Sequence, residues 1–119
     1  MERFALIATT AALLAFAQPA SAITVKGLGA ATCTQWSIHH PANGNSPNDL
    51  ITIGQESWVL GFLSAVNSFA PQIHHDIVKS ADADALYAWI TQWCSTRPLD
   101  VIGEGAAALA LELERRLTK

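Results

Sequence analysis

The chain contains only two cysteines, Cys33 and Cys94, and no other feature constrains its fold as strongly. They lie 61 positions apart. In an oxidising compartment, an isolated pair is most simply explained by one intramolecular disulfide. In the chain-entropy description, closing a loop of this size stabilises the fold by about 4 kcal/mol. Two free thiols or a bridge between two chains are the alternatives. The lack of a Cys-x-x-Cys motif argues against a redox-active pair.

The N-terminus indicates that the chain reaches such a compartment. Arg3 supplies a short positive region, and an almost unbroken apolar run covers residues 4–16. This run is shorter than the roughly 20 residues that span a bilayer. It is followed by small residues at 20–22 that fit a signal-peptidase site. We therefore predict a signal peptide over residues 1–22, cleavage between Ala22 and Ile23, and export to the periplasm. An N-terminal core helix is the alternative.

The predicted mature chain, residues 23–119, has the length of one domain. It keeps the net charge of −3 at pH 7 of the whole chain, because Glu2 and Arg3 cancel. It has no basic stripe and no second long apolar run. We therefore expect no nucleic-acid partner and no membrane span in the mature form.

Prolines and clusters of turn-forming residues divide the mature chain into helical segments. Thr32 is expected to cap a short helix ending near residue 39, and longer helices are predicted over about 49–69, 82–95 and 99–117. No stretch alternates with period two for long enough to indicate a strand. The predicted fold is all-α, a small orthogonal bundle of three main helices plus one short helix, closed by one disulfide.

The spacing of apolar residues indicates which side of each long helix faces the core. The predicted inward sets are Trp58, Phe62, Ala65, Val66 and Phe69 on the first, Leu86, Trp89, Ile90, Trp93 and Cys94 on the second, and Ile102, Ala106, Leu109, Ala110, Leu113 and Leu117 on the third. Gly54 and Gly61 either admit a closely packed helix or are merely tolerated, at about 1 kcal/mol each. The glycine-containing residues 23–31 are expected to be a mobile lead-in.

Four tryptophans are many for so short a chain. They are expected either to pack in the core or to form an aromatic surface that binds apolar segments of another protein. The candidate partner-binding residues are Trp36, Trp58, Phe62, Trp89 and Trp93.

The four histidines form two adjacent pairs, His39-His40 and His74-His75. Adjacent side chains point in different directions, so such a pair rarely supplies two ligands to one metal ion. Because both pairs lie beside predicted loops, we expect exposed, pH-responsive side chains. We predict no metal site and no cofactor.

No motif for catalysis is present: the chain has no Gly-x-Ser-x-Gly, no Walker motif and no His-Glu-x-x-His. Asp82 and Asp84 are two apart and face different ways on a helix, which argues against a paired acid/base role. Glu112 and Glu114 are expected to pair with Arg116 and Lys119 on a solvated face. We therefore predict that the chain is not an enzyme.

The surroundings of the two cysteines resemble a known family. Thr32-Cys33-x-x-Trp36 and the later segment Trp93-Cys94-Ser95-Thr96-Arg97-Pro98 are similar to the cysteine motifs of HdeA/HdeB-like periplasmic acid-stress chaperones, over roughly residues 32–115. The resemblance implies a homodimer at neutral pH that opens in acid and binds unfolding proteins. Protonation of every carboxylate and histidine takes the mature net charge to roughly +10, and self-repulsion then favours opening.

A second resemblance gives the alternative function. Residues 61–67, Gly-Phe-Leu-Ser-Ala-Val-Asn, are similar to a segment of the Tai-type immunity proteins, which neutralise effectors of the type VI secretion system. Residues 89–113 are similar to their helix, proline-containing turn and alanine-rich helix. This resemblance implies an immunity protein, or another periplasmic interaction module, that binds one specific protein effector.

Overall fold

The computed structural model describes residues 24–119; the predicted signal peptide and its cleavage site lie outside this range. Its helices are α1 (Cys33–His39), α2 (Leu50–Phe69), α3 (Ala83–Cys94) and α4 (Ile102–Leu117), and a 3-10 turn (Gly27–Ala30) precedes them. Within that range the only β-type pairing is a single bridge between Thr32 and Val101. The all-α prediction, with three main helices and one short one, is confirmed.

Side-chain caps begin the first three helices where the sequence predicts them. Thr32 caps α1 through a reciprocal pair of hydrogen bonds with Gln35, in which each residue accepts the other's backbone N–H. Asp49 and Asp82 cap α2 and α3, each accepting the backbone N–H three residues on, at 2.8 and 3.2 Å. These bonds satisfy N–H groups that have no partner inside the helix, so they fix where each helix begins.

Helix α4 begins at Ile102, later than the predicted residue 99. The segment before it instead runs beside the start of α1. The Cys33 N–H donates to the Asp100 carbonyl at 2.7 Å, and the Ile102 N–H donates to the Ala31 carbonyl at 2.9 Å. These long-range backbone bonds hold a turn at residues 97–100 and an extended Val101 where local propensity alone allows a helix.

The core is centred on large side chains that are less than 2 % exposed, among them Trp36, Leu63, Ile90, Ile102 and Leu109. The predicted disulfide is present. Cys33 and Cys94 lie 5.0 Å apart between Cα atoms, so the bridge joins the start of α1 to the end of α3. None of the helices described is long and apolar enough to cross a bilayer.

The inward face of α2 differs from the predicted one. Its buried positions are Thr52, Gln55, Val59 and Leu63, whereas Phe69 is 86 % exposed. Trp58, Phe62 and Val66 pack at the edge of the core, and Ala65 is exposed. Apolar residues occur all around this helix, so their period defines no single face. The inward stripes predicted on α3 and α4 are largely correct, although Trp89 and Trp93 are only partly buried and Leu117 is 49 % exposed.

The expected lead-in is packed against the bundle. Its 3-10 turn contacts α2 and α4. Gly29 lies so close to the Trp58 ring that an added Cβ would be 2.2 Å from it, which explains why glycine is needed there. The sequence also predicted that Gly54 and Gly61 could admit a closely packed helix. At Gly54 the close neighbour is the Leu28 side chain and not a second helix. A Cβ added at Gly61 would have no described neighbour within 4 Å.

Candidate functional site

The structure divides the five candidate partner-binding residues. Trp36 is fully buried, and its indole N–H donates to the Thr91 hydroxyl at 3.0 Å. The other four, Trp58, Phe62, Trp89 and Trp93, are partly buried on α2 and α3. In this folded form Trp36 belongs to the core, and only the other four have surface to offer a partner.

The aromatic rings at the surface are individually held in place. The Trp58 and Phe62 rings stack with centroids 5.4 Å apart, and the Trp58 indole N–H donates to the Lys26 carbonyl at 3.1 Å. The Arg97 guanidinium lies 4.7 Å from the centroid of the Trp93 ring, within cation–π range. Larger apolar exposure occurs elsewhere, at Leu50 (88 %), Phe69 (86 %), Leu99 (86 %) and Ile38 (68 %).

Three of the four histidines contact a carboxylate on another element. The nitrogen–oxygen distances are 3.5 Å for His39–Asp49, 3.1 Å for His40–Glu56 and 2.9 Å for His75–Glu114. The fourth, His74, is exposed and uses its backbone N–H. The histidine pairs are therefore points at which α1 and the connection between α2 and α3 are tied to other helices.

Glu114 corrects the prediction of a solvated surface residue. It is 8 % exposed, and it accepts hydrogen bonds from the backbone N–H groups of His74 and His75 and contacts the His75 ring. Burial on its own would raise the pKa of this carboxyl, but the hydrogen bonds from His75 and His74 outweigh burial and lower the pKa. We call Glu114, His74 and His75 the Glu114 clamp. It fixes the α2–α3 connection to α4.

Two other carboxyl groups also have lowered pKa values. Hydrogen bonds from Arg115 and then Arg116 lower the pKa of Glu112 to about 2, so the predicted partner Arg116 is found but Arg115 contributes first. The pKa of Asp49 is lowered chiefly by the hydrogen bond from the backbone N–H of Thr52, where Asp49 caps α2. Each of these carboxylates is therefore stabilised in its charged form by the fold.

His40 was expected to be exposed but is 4 % exposed. Its ring stacks on the Trp36 ring, with centroids 3.6 Å apart and planes 8° apart. A signal for this contact exists in the sequence, because residues four apart share one face of a helix and α1 reaches this point. The turn-rich residues that follow obscured it.

A cavity of about 540 Å³ opens beside His40. It lies between the connection after α1 and helix α3, with Glu56 of α2 at its wall. Burial raises the pKa of Tyr87, which also lines it, and the negative charges of Glu56 and Asp84 add to that shift. None of the described residues lining this cleft is Lys or Arg. Its acidic residues, Glu56 and Asp84, therefore have no lysine or arginine beside them in this lining.

Nowhere in residues 24–119 do three His, Cys, Asp or Glu side chains converge in an arrangement able to hold a metal ion. No protein family, curated protein or solved structure matches the chain.

Proposed function

We propose that this chain is an exported, protein-binding domain that acts as an HdeA/HdeB-like acid-stress chaperone: it opens in acid and covers unfolding proteins. The observation that carries the proposal is the Glu114 clamp, because a nearly buried carboxylate there holds a whole connection against α4. The resemblance of the two cysteine motifs supplies the class of function, and the clamp supplies a physical reason for opening.

The sign of the pH effect follows from the lowered pKa. A carboxyl whose pKa is lower in the folded chain than in the unfolded chain stabilises the fold at neutral pH, and this stabilisation is lost as the pH falls through the folded value. This holds for Glu114, and equally for Asp49 and Glu112. Acid therefore weakens three features together: the attachment of the α2–α3 connection, the cap of α2, and the ion pairs of Glu112 on α4.

Release of the clamp would uncover apolar surface. The connection carries Ile77, which is 3 % exposed, and Ile77 lines a cavity together with Leu113 and Leu117 of α4. The second attachment of this connection is the hydrogen bond from the Ile77 N–H to the Asn67 side chain at 2.8 Å. The disulfide would keep α1 on α3 while the other side opens. Such surface suits unfolded clients, which expose apolar segments.

The proposal includes a homodimer at neutral pH, as the resemblance implies. Sedimentation velocity of the mature chain at pH 7 and pH 3 tests this part by itself. We expect twice the monomer mass at pH 7 and the monomer at pH 3. A monomer at both pH values would remove the dimer from the proposal.

Client protection is the direct test. An aggregation-prone protein is brought to pH 2–3 with and without the mature chain, and light scattering is recorded. We expect suppression at stoichiometric amounts. The variant Glu114→Gln should begin to protect at a higher pH than the wild type, whereas Asp84→Asn, a change at an exposed carboxyl, should not move the threshold. Continued aggregation at a stoichiometric excess of the wild type would contradict the chaperone proposal.

The acidic cleft favours a second candidate, an immunity protein or other module that binds one protein effector at neutral pH. A concave wall with Glu56 and Asp84 suits a partner that presents a basic side chain. Titration calorimetry at pH 7 against a secreted effector encoded beside this chain tests it. Tight binding that Tyr87→Ala weakens would favour this candidate; no binding would count against it.

A further inference from the structure

Both ring nitrogens of His40 face oxygen acceptors. Nδ1 lies 3.1 Å from the Trp36 carbonyl oxygen, and Nε2 lies 3.1 Å from Oε1 of Glu56. The His40 side chain is 4 % exposed, and Glu56, at the wall of the cleft, is 25 % exposed. A backbone carbonyl can only accept a hydrogen bond, and an ionised carboxylate can only accept one as well. Both contacts therefore require a proton on the line between the two atoms.

A neutral imidazole carries one N–H and satisfies only one contact. With the proton on Nδ1, the bare Nε2 faces the Glu56 carboxylate. With the proton on Nε2, the bare Nδ1 faces the Trp36 carbonyl. Each tautomer leaves two lone pairs facing each other across one of these contacts, which is costly for a buried ring. One additional proton removes the conflict, either as an imidazolium beside the Glu56 carboxylate or as a neutral ring that accepts from a protonated Glu56.

We propose that the His40–Glu56 pair retains this additional proton in the folded protein and so forms a latch between α1 and α2 that weakens as the pH rises. The latch goes beyond the proposed acid response, and it acts in the opposite direction. Whether it is an ion pair or a neutral pair, the latch has no net charge, and a largely buried site tolerates this form best.

The surroundings of the ring favour the proton. From α3, Tyr87 approaches with its ring centroid 6.5 Å from that of His40, and Asp84 lines the same cleft. From α2 the facing charge is Glu56 itself, and from α1 the Trp36 ring offers its face to the imidazole. An aromatic face attracts a cation, and the nearby carboxyl groups do the same.

The direction of the effect follows from proton counting. Above about pH 6.5 a histidine in an unfolded chain is mostly neutral and its glutamate is ionised, so the unfolded pair holds one proton fewer than the folded latch. Unfolding then releases a proton, and the folding equilibrium constant falls by up to about tenfold for each pH unit. The loss ends once the folded pair also gives up its proton.

Nitrogen NMR of the wild-type chain tests the proton directly, without any variant. At pH 7.5, long-range correlations of the His40 ring should show either both nitrogens protonated, or Nδ1 protonated with the Glu56 carboxyl carbon in its protonated form. The exposed ring of His74 is the internal reference. A neutral His40 ring beside an ionised Glu56 in the folded chain would overturn the proposal.

Urea unfolding between pH 6.5 and 9 tests the consequence. The wild-type folding constant should fall by at least about tenfold over this range, because a pair that still holds its proton at pH 7.5 continues to lose stability up to that pH. In Glu56→Gln the fall should flatten, because an amide can accept from a protonated Nε2 or donate to a bare one. The control Asp49→Asn keeps the cap of α2 and removes the charge beside His39, and it should retain the full fall. Equal falls in wild type and Glu56→Gln would also overturn the latch. Because urea unfolding involves no client protein, its outcome does not depend on whether the protection assay at pH 2–3 succeeds or fails.

Discussion

At the scale of single residues, Glu114 is nearly buried and accepts hydrogen bonds from two backbone N–H groups, at 3.0 and 3.1 Å. Glu114→Gln should lower the urea midpoint at pH 7, because one amide oxygen cannot replace two carboxylate oxygens that accept these bonds and meet the His75 ring. The variant's midpoint should also vary less between pH 2 and pH 7 than that of the wild type, since its side chain does not titrate. Asp84→Asn is the matched control and should follow the wild type. A wild-type slope in Glu114→Gln would show that the clamp does not carry the acid response.

Two glycines make a second pair of residue-scale changes with opposite expectations. In Gly29→Ala the new methyl group meets the Trp58 ring, which is stacked on Phe62 and hydrogen-bonded to Lys26. We expect a loss of about 1–3 kcal/mol from overpacking. In Gly61→Ala the methyl group meets nothing described within 4 Å, and alanine is the better helix former, so stability should be unchanged or rise by up to about 1 kcal/mol. Urea unfolding at pH 7 measures both. A stabilised Gly29→Ala would mean that the 3-10 turn is not packed as the structure shows.

The residues that sequence reasoning missed have a common physical reason. Glu114 and His40 are polar groups whose partners are far away in the chain or on another helix, so their burial depends on tertiary contacts that no local period encodes. Gln55 is the extreme case, since it is 1 % exposed and its side-chain oxygen has no described partner. Polarity predicted the surface for Glu114 and His40, and the fold placed both of them inside.

At the scale of elements, the disulfide decides how α1 is held. This helix has only seven residues, which is too few for an isolated helix to be stable in water. Reduction of Cys33–Cys94 should cost about 4 kcal/mol in the chain-entropy description, and α1 should be the first helix to lose protection. Urea unfolding with and without reductant measures the first effect, and amide hydrogen exchange measures the second. Both thiols should react with an alkylating reagent only after reduction. A loss below about 1 kcal/mol would show that backbone bonds to residues 98–100 hold α1 on their own.

The elements themselves were largely predictable, because their ends are encoded locally. The first three helices begin after residue types that commonly cap helices, namely Thr32, Asp49 and Asp82. The start of each helix follows from its cap. The start of α4 was not predictable in this way. Val101 has no side chain that can cap, and the preceding residues are set by their pairing with the start of α1. Local signals therefore located the helices, and long-range pairing corrected one boundary.

At the scale of the whole molecule, two of the three histidine–carboxylate sites oppose each other in their response to pH. The Glu114 clamp weakens as the pH falls, whereas the proposed His40–Glu56 latch weakens as the pH rises. They share no residue, and they join different elements: the clamp joins the α2–α3 connection to α4, and the latch joins α1 to α2. Their effects on stability should therefore be nearly additive.

The expected result is a maximum in the free energy of unfolding between about pH 5 and pH 7, with a fall on each side. Glu114→Gln should reduce the fall on the acid side, to which Asp49 and Glu112 still contribute. Glu56→Gln should reduce the fall on the alkaline side, and the double variant should reduce both. Urea midpoints at half-unit intervals from pH 2 to pH 9 measure all four curves. If either single variant flattened both sides, the two sites would be coupled through α2, which packs against α4 and contacts α1. Separate effects would instead mean that the Glu114 clamp and the His40–Glu56 latch set the two sides of the pH profile independently, each through the elements that it joins.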